Sequence, residues 1–301
     1  MRAAMKETKP QKRSLAGAKL RAWWEGEAFD ADAYLAAQAA EPETPPSPDV
    51  SADLFDAPRD ERLEALQILW GEGRIFPPLI GEKDALALLG LPEEAHVALL
   101  GPGLYGDVLP FLAAKSVKVF EWRSETCAAL KHAAAQNEHV SVEPFDLDVT
   151  NMPAESFDGL VSFDEFSYAA APGRLALQIA RTLKPGCKAV IETYTGGPDP
   201  DFVSAFASAY AEPQVHQHTV IAHALTEAGL DIEADEDVTA AHVKAARAAF
   251  AAFSEKAASM GAMAPRAAQE LSWVTQTWQA RLKLMIHGRL QRRKFLVKRR
   301  V

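Results

Sequence analysis

The stretch that decides the fold is HVALLGPGLYGDVLPFLAAKSVKVFEWRSE, residues 96–125. It begins with a continuous apolar run, VALLG at 97–101, which is typical of a parallel strand buried on both faces. A second apolar run, VKVFE at 117–121, follows a glycine turn at 101–106 and a short helical segment. A strand, a glycine turn, a helix and a second strand in this order predict the first β-α-β unit of an open parallel sheet.

Strands and helices keep alternating along the rest of the chain. Pro172 opens a helix that ends at Lys-Pro-Gly, residues 184–186. Five more strands are predicted in VSVEPF, FDGLVSFDE, KAVIETYT, DIEADEDVT and RRKFLVKRR. Two helices with one apolar stripe each precede the last strand. The sequence therefore predicts an α/β fold, a Rossmann-like doubly wound sheet with a helical insertion before the last strand.

The chain is predicted to consist of three parts. Residues 1–40 form an N-terminal extension, and a proline-rich linker follows at 41–60, where EPETPPSPDV contains four prolines and no helical or strand period. The main domain is expected at 61–301, with its core at 91–195, the helical insertion at about 239–288 and the last strand at about 293–300.

Composition limits the class of protein and of partner. With 301 residues, 48% of them hydrophobic and 24% charged, the chain has the make-up of an ordinary soluble globular protein. Its net charge of −9 argues against nucleic acid or an anionic membrane as the main partner. The basic C-terminal end does not change this, because Phe-Leu-Val at 295–297 predicts a terminal strand with charged flanks.

The sequence also predicts a cytoplasmic location. Two cysteines, Cys127 and Cys187, are too few for a disulfide framework or a zinc site and suit a reducing compartment. No apolar run approaches the roughly 20 residues that cross a bilayer. The basic segment at 1–24 lacks the continuous apolar stretch of a secretory signal.

The glycine turn has the pattern of a nucleotide site. Gly101, Gly103 and Gly106 spell G-x-G-x-x-G, and an acid, Glu121, follows 20 residues after Gly101. Glycines let the backbone approach a ligand closely, and an acid at the end of the second strand accepts two hydrogen bonds from ribose hydroxyl groups. A nicotinamide dinucleotide and S-adenosylmethionine both suit this arrangement, so the turn alone leaves both cofactors open.

Motifs downstream separate the two cofactors. Asp148 stands five residues before Pro153, Ser-Phe-Asp follows at 156–158, and Leu-Lys-Pro-Gly follows at 183–186. This order closely resembles the second half of the class I S-adenosylmethionine-dependent methyltransferase domain. A nicotinamide dehydrogenase would have no reason to show it.

The resemblance extends over about 61–301 and is to the small-molecule branch, the methyltransferase type 11-like proteins. EAGLDIEADEDVT and GRLQRRKFLVKRR are similar to the end of that branch, and WGEGRIFPP resembles the segment before its first strand. The resemblance implies a seven-stranded sheet, mostly parallel with the last strand antiparallel. It also implies methyl transfer from S-adenosylmethionine to a small-molecule or lipid-headgroup acceptor.

The resemblance further implies which residues bind the cofactor. Glu121 would hold the ribose, its neighbour Trp122 offers an aromatic face beside the adenine, and Asp148 would lie near the adenine amino group. The full predicted set is Gly101, Gly103, Tyr105, Gly106, Glu121, Trp122, Asp148 and Asp164.

The glycine turn departs from the family pattern. Leu99 stands at the usual acidic place, Tyr105 replaces the third glycine, and Pro77-Pro78 replaces a small pair in the preceding segment. A tyrosine forced into a left-handed turn would be strained by about 1–2 kcal/mol, and its ring would fill the methionine pocket. These departures favour the alternative function, a catalytically degenerate binding or scaffold subunit that docks a protein partner through residues 1–60.

Methyl transfer needs no nucleophilic side chain on the protein, so the sequence assigns no catalytic residue. Acceptor-side candidates are expected after the fourth and fifth strands and near the helical insertion. They are Trp70, Phe166, Tyr168, Tyr194, His216 and His218. The close pair His216 and His218 lacks a third ligand in sequence, so no metal site is predicted.

Overall fold

The computed structural model describes residues 30–31, 61–79, 82–92, 94–149, 151–197, 215–257 and 265–301. Apart from residues 30–31, the predicted N-terminal extension and linker lie outside the described residues. Within these ranges, no helix combines the length and the apolar character needed to cross a bilayer.

In the part of the chain that the structure describes, seven strands form one sheet. They are β1 (His96–Leu100), β2 (Ser116–Glu121), β3 (Val140–Pro144), β4 (Phe157–Phe163), β5 (Leu183–Gly196), β6 (Leu230–Asp237) and β7 (Leu290–Arg299). Their order across the sheet is β3-β2-β1-β4-β5-β7-β6. The strands from β3 to β5 pair in parallel, whereas β7 runs antiparallel to both β5 and β6. The predicted fold class is confirmed.

Helices cover both faces of the sheet. They are α1 (Glu61–Trp70), α2 (Glu82–Leu89), α3 (Ser124–Ala134), α4 (Pro172–Thr182), α5 (His218–Glu227), α6 (Thr239–Ala257) and α7 (Pro265–Ile286). α2 and α3 contribute to an apolar cluster on one face, and α4 and α5 contribute to a cluster on the other. α6 and α7 fall between β6 and β7, as predicted, and build a third cluster with α1.

The period of the strands explains the two-sided core. Residues 97–100 of β1 are completely buried. Leu99 packs in the cluster with α2 and α3, whereas Leu100 packs in the cluster with α4 and α5, because successive side chains leave a strand on opposite faces. Each fully buried large side chain contributes roughly 1.5–3 kcal/mol, so the apolar run secures the centre of the sheet.

α3 begins at Ser124, and Arg123 occupies the capping position before it without a side-chain capping hydrogen bond. The Arg123 side chain is bonded to Glu121 instead. The carboxyl ends of β1, β2, β4 and β5 meet at the same edge of the sheet, which brings the candidate site residues together.

Candidate functional site

The glycine turn follows β1 directly. Gly101 and Gly103 have φ angles of +57° and +86°, in the left-handed region that favours glycine. The Gly101 N–H donates to the carbonyl oxygen of Phe120 (2.8 Å), which ties the turn to the end of β2. Both glycines therefore adopt a backbone conformation that other residues avoid.

The third glycine contacts another part of the protein. The Gly106 N–H donates to the carbonyl oxygen of Gly73 (2.9 Å), and a Cβ at position 106 would lie 2.7 Å from that oxygen. Arg74 also forms an ion pair with the buried Asp107. We call residues 71–79 the approach segment; these contacts hold it against the glycine turn.

The approach segment also covers Gly103. A Cβ at this position would lie 2.8 Å from Cγ1 of Ile75 and 3.0 Å from Cε1 of Phe76. Apolar side chains of the protein itself therefore lie on one side of the turn.

The expectation of a strained tyrosine in the turn is wrong. Tyr105 begins a short 3₁₀ helix, Tyr105–Asp107, and among the described non-glycine residues only Glu155 and Asp164 have a positive φ. The Tyr105 hydroxyl accepts a hydrogen bond from Nδ2 of Asn137 (3.2 Å), just beyond α3. Residue 105 is not strained, because the 3₁₀ helix gives it an ordinary backbone conformation. Its side chain extends toward the end of α3.

Leu99, which stands where related sequences carry an acid, is completely buried. It is in register with Val119 of β2 and Val161 of β4, inside the cluster with α2 and α3. The side chain at position 99 therefore packs in the core and offers no polar group to the glycine turn.

Glu121 ends β2 and is 1% exposed. Its Oε2 accepts the Gly103 N–H (3.1 Å), and its Oε1 accepts the backbone N–H of Arg123 (2.9 Å). A buried carboxylate with two backbone donors is fixed in place at the end of the strand. This is the position that the sequence predicts for the ribose-binding acid.

The Arg123 side chain lies on this same carboxylate. Its Nε donates to Oε1 of Glu121 (2.7 Å) and its Nη2 to Oε2 (3.2 Å), while Nη2 also donates to the Gly101 carbonyl oxygen (2.8 Å). The guanidinium lies 4.9 Å from the ring of Trp122 and 5.5 Å from the ring of Phe76. Hydrogen bonds to charged groups contribute about 1.5–3 kcal/mol each, so Arg123 is held firmly.

A second carboxyl group lies against the turn. Glu165 is completely buried, and its Oε2 accepts the Ser162 hydroxyl (2.5 Å). Its Oε1 is buried without a hydrogen-bond partner and would lie 1.8 Å from a Cβ at Gly101. Burial raises the pKa of Glu165 to about 8, against the opposing effects of Ser162 and Arg123. The group is therefore mostly neutral at pH 7.

Two further predicted residues lie near this end of the sheet. The ring of Trp122 packs 4.9 Å from the ring of Tyr168, and Trp122 Nε1 is buried without a partner. Asp148 is half-buried, and its Oδ1 accepts the N–H of Ala171, the residue before α4 (3.1 Å). Asp148 thus holds a loop, while Trp122 and Tyr168 form an aromatic wall.

Asp164 faces the acceptor side. It has a φ of +82°, and its Oδ1 accepts the Ser167 hydroxyl (2.6 Å). Oδ1 also lies 2.9 Å from Nη1 of Arg292, whose Nε donates to Oε1 of Glu192 (2.9 Å). A non-glycine residue in the left-handed region is strained, and these bonds hold it there. The neighbouring Glu165, rather than Asp164, is the residue that lies against Gly101.

Tyr194 and His242 share a buried hydrogen bond of 2.8 Å between Oη and Nε2. Burial raises the pKa of Tyr194 to about 12, although Arg281 and Arg292 act in the opposite direction. Burial, and then Arg292, lower the pKa of His242 well below its usual value. Both groups are therefore neutral at pH 7. The guanidinium groups of Arg281 and Arg292 lie 4.9 Å and 4.4 Å from the Tyr194 ring.

The other acceptor-side candidates lie apart from one another. Trp70 is buried against Trp278, with ring centroids 4.7 Å apart, while Phe166 lies in the core with α4 and α5. His216 Nε2 lies 2.8 Å from the Ala169 carbonyl oxygen, and His218 Nε2 lies 2.6 Å from Oδ2 of Asp235. Among the described residues, no group of three or more His, Cys, Asp or Glu side chains could hold a metal ion.

The sequence analysis missed four residues of this region: Arg123, His242, Arg281 and Arg292. Arg123 carried a signal, because it follows Glu121 by two positions and side chains two apart leave an extended chain on the same side. Arg281 follows Trp278 by three positions in a helix stripe that reads as apolar. His242 and Arg292 meet Tyr194 only through tertiary packing.

The backbone of this site fits S-adenosylmethionine, and two side chains limit the fit. The buried carboxylate at the end of β2 and the two left-handed glycines suit a ribose and a close backbone approach. Arg123 lies on both carboxylate oxygens, however, and Glu165 lies against Gly101. The residues fit the cofactor on the condition that the guanidinium leaves Glu121.

Comparison with known proteins identifies the domain. Residues 100–191, from the end of β1 into β5, match the family model described as a methyltransferase domain. No curated protein matches the sequence.

Solved structures share the fold at low identity. A putative sarcosine dimethylglycine methyltransferase from Galdieria sulphuraria is 16% identical, with a TM-score of 0.66 over 80% of this chain and 99% of that one. Phosphoethanolamine N-methyltransferase 2 from Haemonchus contortus, in complex with phosphomonomethylethanolamine and S-adenosylhomocysteine, is 17% identical, with a TM-score of 0.67 over 79% of this chain and 57% of that one. The [4+2]-cyclase SpnF is 17% identical, with a TM-score of 0.59 over 73% and 80% of the two chains. Likeness at this level shows a class I methyltransferase fold.

Proposed function

We propose, on the premise that residues 100–191 form a methyltransferase domain, that this chain transfers a methyl group from S-adenosylmethionine to a small-molecule or lipid-headgroup acceptor in the cytoplasm. The observation that carries the proposal is Glu121, a buried carboxylate at the end of β2 beside two glycines with positive φ. The sarcosine and phosphoethanolamine methyltransferases that share the fold support a small acceptor.

The cofactor-side residues have distinct parts in this proposal. Glu121 accepts the ribose hydroxyls, Gly101 and Gly103 let the backbone approach, and Trp122 offers its ring and free Nε1 beside the adenine. Asp148, with one oxygen on Ala171, keeps the other for the adenine amino group. The bound sulfonium supplies an activated methyl group, so the protein has only to align the acceptor and exclude water.

On the acceptor side, Tyr194 and Tyr168 are the candidates that we favour for contact with the substrate. The Asp164–Arg292 ion pair helps to fix the backbone at Tyr194, because Asp164 Oδ1 also accepts a hydrogen bond from the Tyr194 N–H (3.3 Å). The Tyr194 hydroxyl and Nε2 of His242 are hydrogen-bonded to each other at 2.8 Å. A pair of neutral groups suits a small polar acceptor enclosed away from water.

A second candidate function is a binding or scaffold role without methyl transfer. Arg123 on Glu121 and Glu165 on Gly101 favour it, as does Leu99 at the usual acidic place. The same fold occurs in a protein named as a [4+2]-cyclase, so the fold does not fix the reaction. A protein partner for residues 1–60 remains a prediction.

Calorimetric titration with S-adenosylmethionine and S-adenosylhomocysteine tests the proposal. We expect the wild type to bind with a dissociation constant in about the micromolar range. Glu121→Ala should weaken binding by roughly 10- to 150-fold, because one charged hydrogen-bonding group is worth about 1.5–3 kcal/mol. A folded wild-type protein that binds neither ligand, even after Arg123 is removed, would favour the second candidate. If binding is found, a panel of small amines and phosphobases would be screened as methyl acceptors.

A further inference from the structure

We infer that Arg123 is the specificity-determining residue of the cleft: its guanidinium covers the two oxygens of Glu121 and must leave them before a ribose can bind there. This inference rests on the proposed function. It concerns which ligands the site admits and how tightly, rather than the reaction itself.

The geometry of the carboxylate is the first step. Arg123 donates to Oε1 and to Oε2 of Glu121, so both oxygens already have a charged partner. A ribose brings two neutral hydroxyl donors to the same atoms. The guanidinium adds the attraction of an ion pair to its hydrogen bonds with both oxygens, whereas the diol offers hydrogen bonds alone, so the diol competes poorly while the guanidinium stays.

The surroundings of Arg123 are the second step. Its guanidinium lies 4.9 Å from the ring of Trp122 and 5.5 Å from the ring of Phe76, and Nη2 would lie 3.2 Å from a Cβ at Gly101. The same group therefore covers the carboxylate and, together with Glu165, lies against the first glycine. One side chain reaches both of the features that suit the cofactor.

The position of Arg123 in the chain is the third step. It lies in the short connection between β2 and α3, and its side chain is 22% exposed, whereas that of Glu121 is completely buried. Because Arg123 lies in a connection, we expect its side chain to reach solvent by a change of rotamer once its bonds to Glu121 and to the Gly101 carbonyl oxygen break. The ring of Phe76, 5.5 Å from the guanidinium, belongs to the approach segment, so a shift of that segment would remove one of the contacts of Arg123.

Ligand binding to substituted proteins tests the inference. We would titrate the full-length wild type, Arg123→Ala and Arg123→Met with S-adenosylhomocysteine, adenosine and adenine by calorimetry. Both variants should bind S-adenosylhomocysteine and adenosine at least about tenfold more tightly than the wild type, equivalent to about 1.4 kcal/mol. Adenine should show no gain, because it lacks the ribose. Arg123→Met keeps an unbranched apolar side chain near the two rings and serves if the alanine variant folds poorly.

Two controls make the result specific. Arg293→Ala removes an arginine that pairs with Asp235 on the β6–β7 side of the sheet, and it should leave the affinity unchanged. Adding Glu121→Ala to Arg123→Ala should abolish the gain, because the uncovered carboxylate would be gone. A thermal-shift measurement should show that S-adenosylhomocysteine raises the melting temperature of Arg123→Ala more than that of the wild type.

The outcomes separate the inference from the proposed function. Wild-type binding that is equal to or tighter than that of both Arg123 variants would overturn the inference and leave the proposed function standing. A gain for adenine equal to that for adenosine would also overturn it, because the ribose would not be the group admitted. Absence of binding in all folded variants would overturn both together.

Discussion

Two arginines lie on buried carboxylates at the same edge of the sheet, and their surroundings differ. Arg292 belongs to β7, which pairs with a strand on each side, and its side chain is 5% exposed between Asp164 and Glu192. Arg123 belongs to a connection and is 22% exposed beside Glu121. An arginine–carboxylate ion pair therefore stabilises the fold where neighbouring strands fix the arginine. Where the arginine lies in a connection, the same kind of pair covers the carboxylate and can be removed.

The two arginines also differ in how many elements of the sheet their contacts join. Arg292 reaches Asp164 on the turn after β4 and Glu192 on β5, so it joins three elements of the sheet. Arg123 and Glu121 are two residues apart, and Arg123 adds only a bond from Nη2 to the carbonyl oxygen of Gly101, directly after β1. We expect the loss of Arg292 to lower the stability of the protein and the loss of Arg123 to raise its affinity for the ligand.

The largest expected effect is that of Arg292→Ala on stability. It leaves two carboxylates without their cation, and breaking a buried pair in this way costs about 3–5 kcal/mol. The melting temperature followed by circular dichroism should fall by roughly 10 °C, since about 2–4 °C are lost per kcal/mol in a chain of this size.

Arg300→Ala is the matched control. Arg300 pairs with Asp231 on the surface, and exposed pairs contribute less than about 1 kcal/mol. If Arg292→Ala were no more destabilising than this control, the two arginines would not differ as we describe.

The second effect concerns the two buried glutamates, Glu192 and Glu165. Glu192 has Arg292 on its Oε1, whereas Oε1 of Glu165 has no hydrogen-bond partner. Because burial raises the pKa of Glu165 to about 8, the folded state keeps a proton that the unfolded state loses above pH 4.5. Stability from this group is complete below pH 4.5 and is lost as the pH rises to 8.

The corresponding test is the pH dependence of Glu165→Gln. Between pH 5 and 8 the wild type should lose about 1.4 kcal/mol per pH unit relative to the variant, measured by urea denaturation. The two proteins should be nearly equal at pH 5. A difference that does not change with pH would mean that Glu165 is ionised throughout and that its contact with Gly101 is not that of a neutral group.

The fold was accessible from the sequence because its signals are local. The apolar run at 97–100 is typical of a strand buried on both faces, and β1 lies inside the sheet with every one of those residues buried. Gly101 and Gly103 predicted a glycine turn from their residue type, and both adopt the left-handed conformation that other residues avoid.

The candidate site was less accessible because its contacts join distant residues. His242 meets Tyr194 across 48 positions and Arg292 meets Glu192 across 100, and no local period encodes such pairs. Arg123 was within reach, two residues from Glu121, but the family pattern directed attention to the glycines.

The smallest expected effect is that of Tyr105→Gly, which the family pattern and the structure predict differently. The pattern has a glycine here, so it predicts restored cofactor binding. In the structure Tyr105 has no left-handed strain to relieve, and its hydroxyl is bonded to Asn137. The substitution should lower stability by about 1 kcal/mol through backbone freedom and the lost hydrogen bond. The affinity for S-adenosylhomocysteine should change by less than about threefold, well short of the gain from Arg123→Ala.

Tyr105→Phe separates the two contributions, because it removes the hydroxyl and keeps the backbone preference. It should cost less stability than the glycine variant and leave ligand binding as in the wild type, by the same calorimetric titration. If Tyr105→Gly restored binding while Arg123→Ala did not, the turn itself would close the cleft. Arg123 would then be a stabilising contact like Arg292, because its removal would change the stability of the protein and not its affinity for ligands.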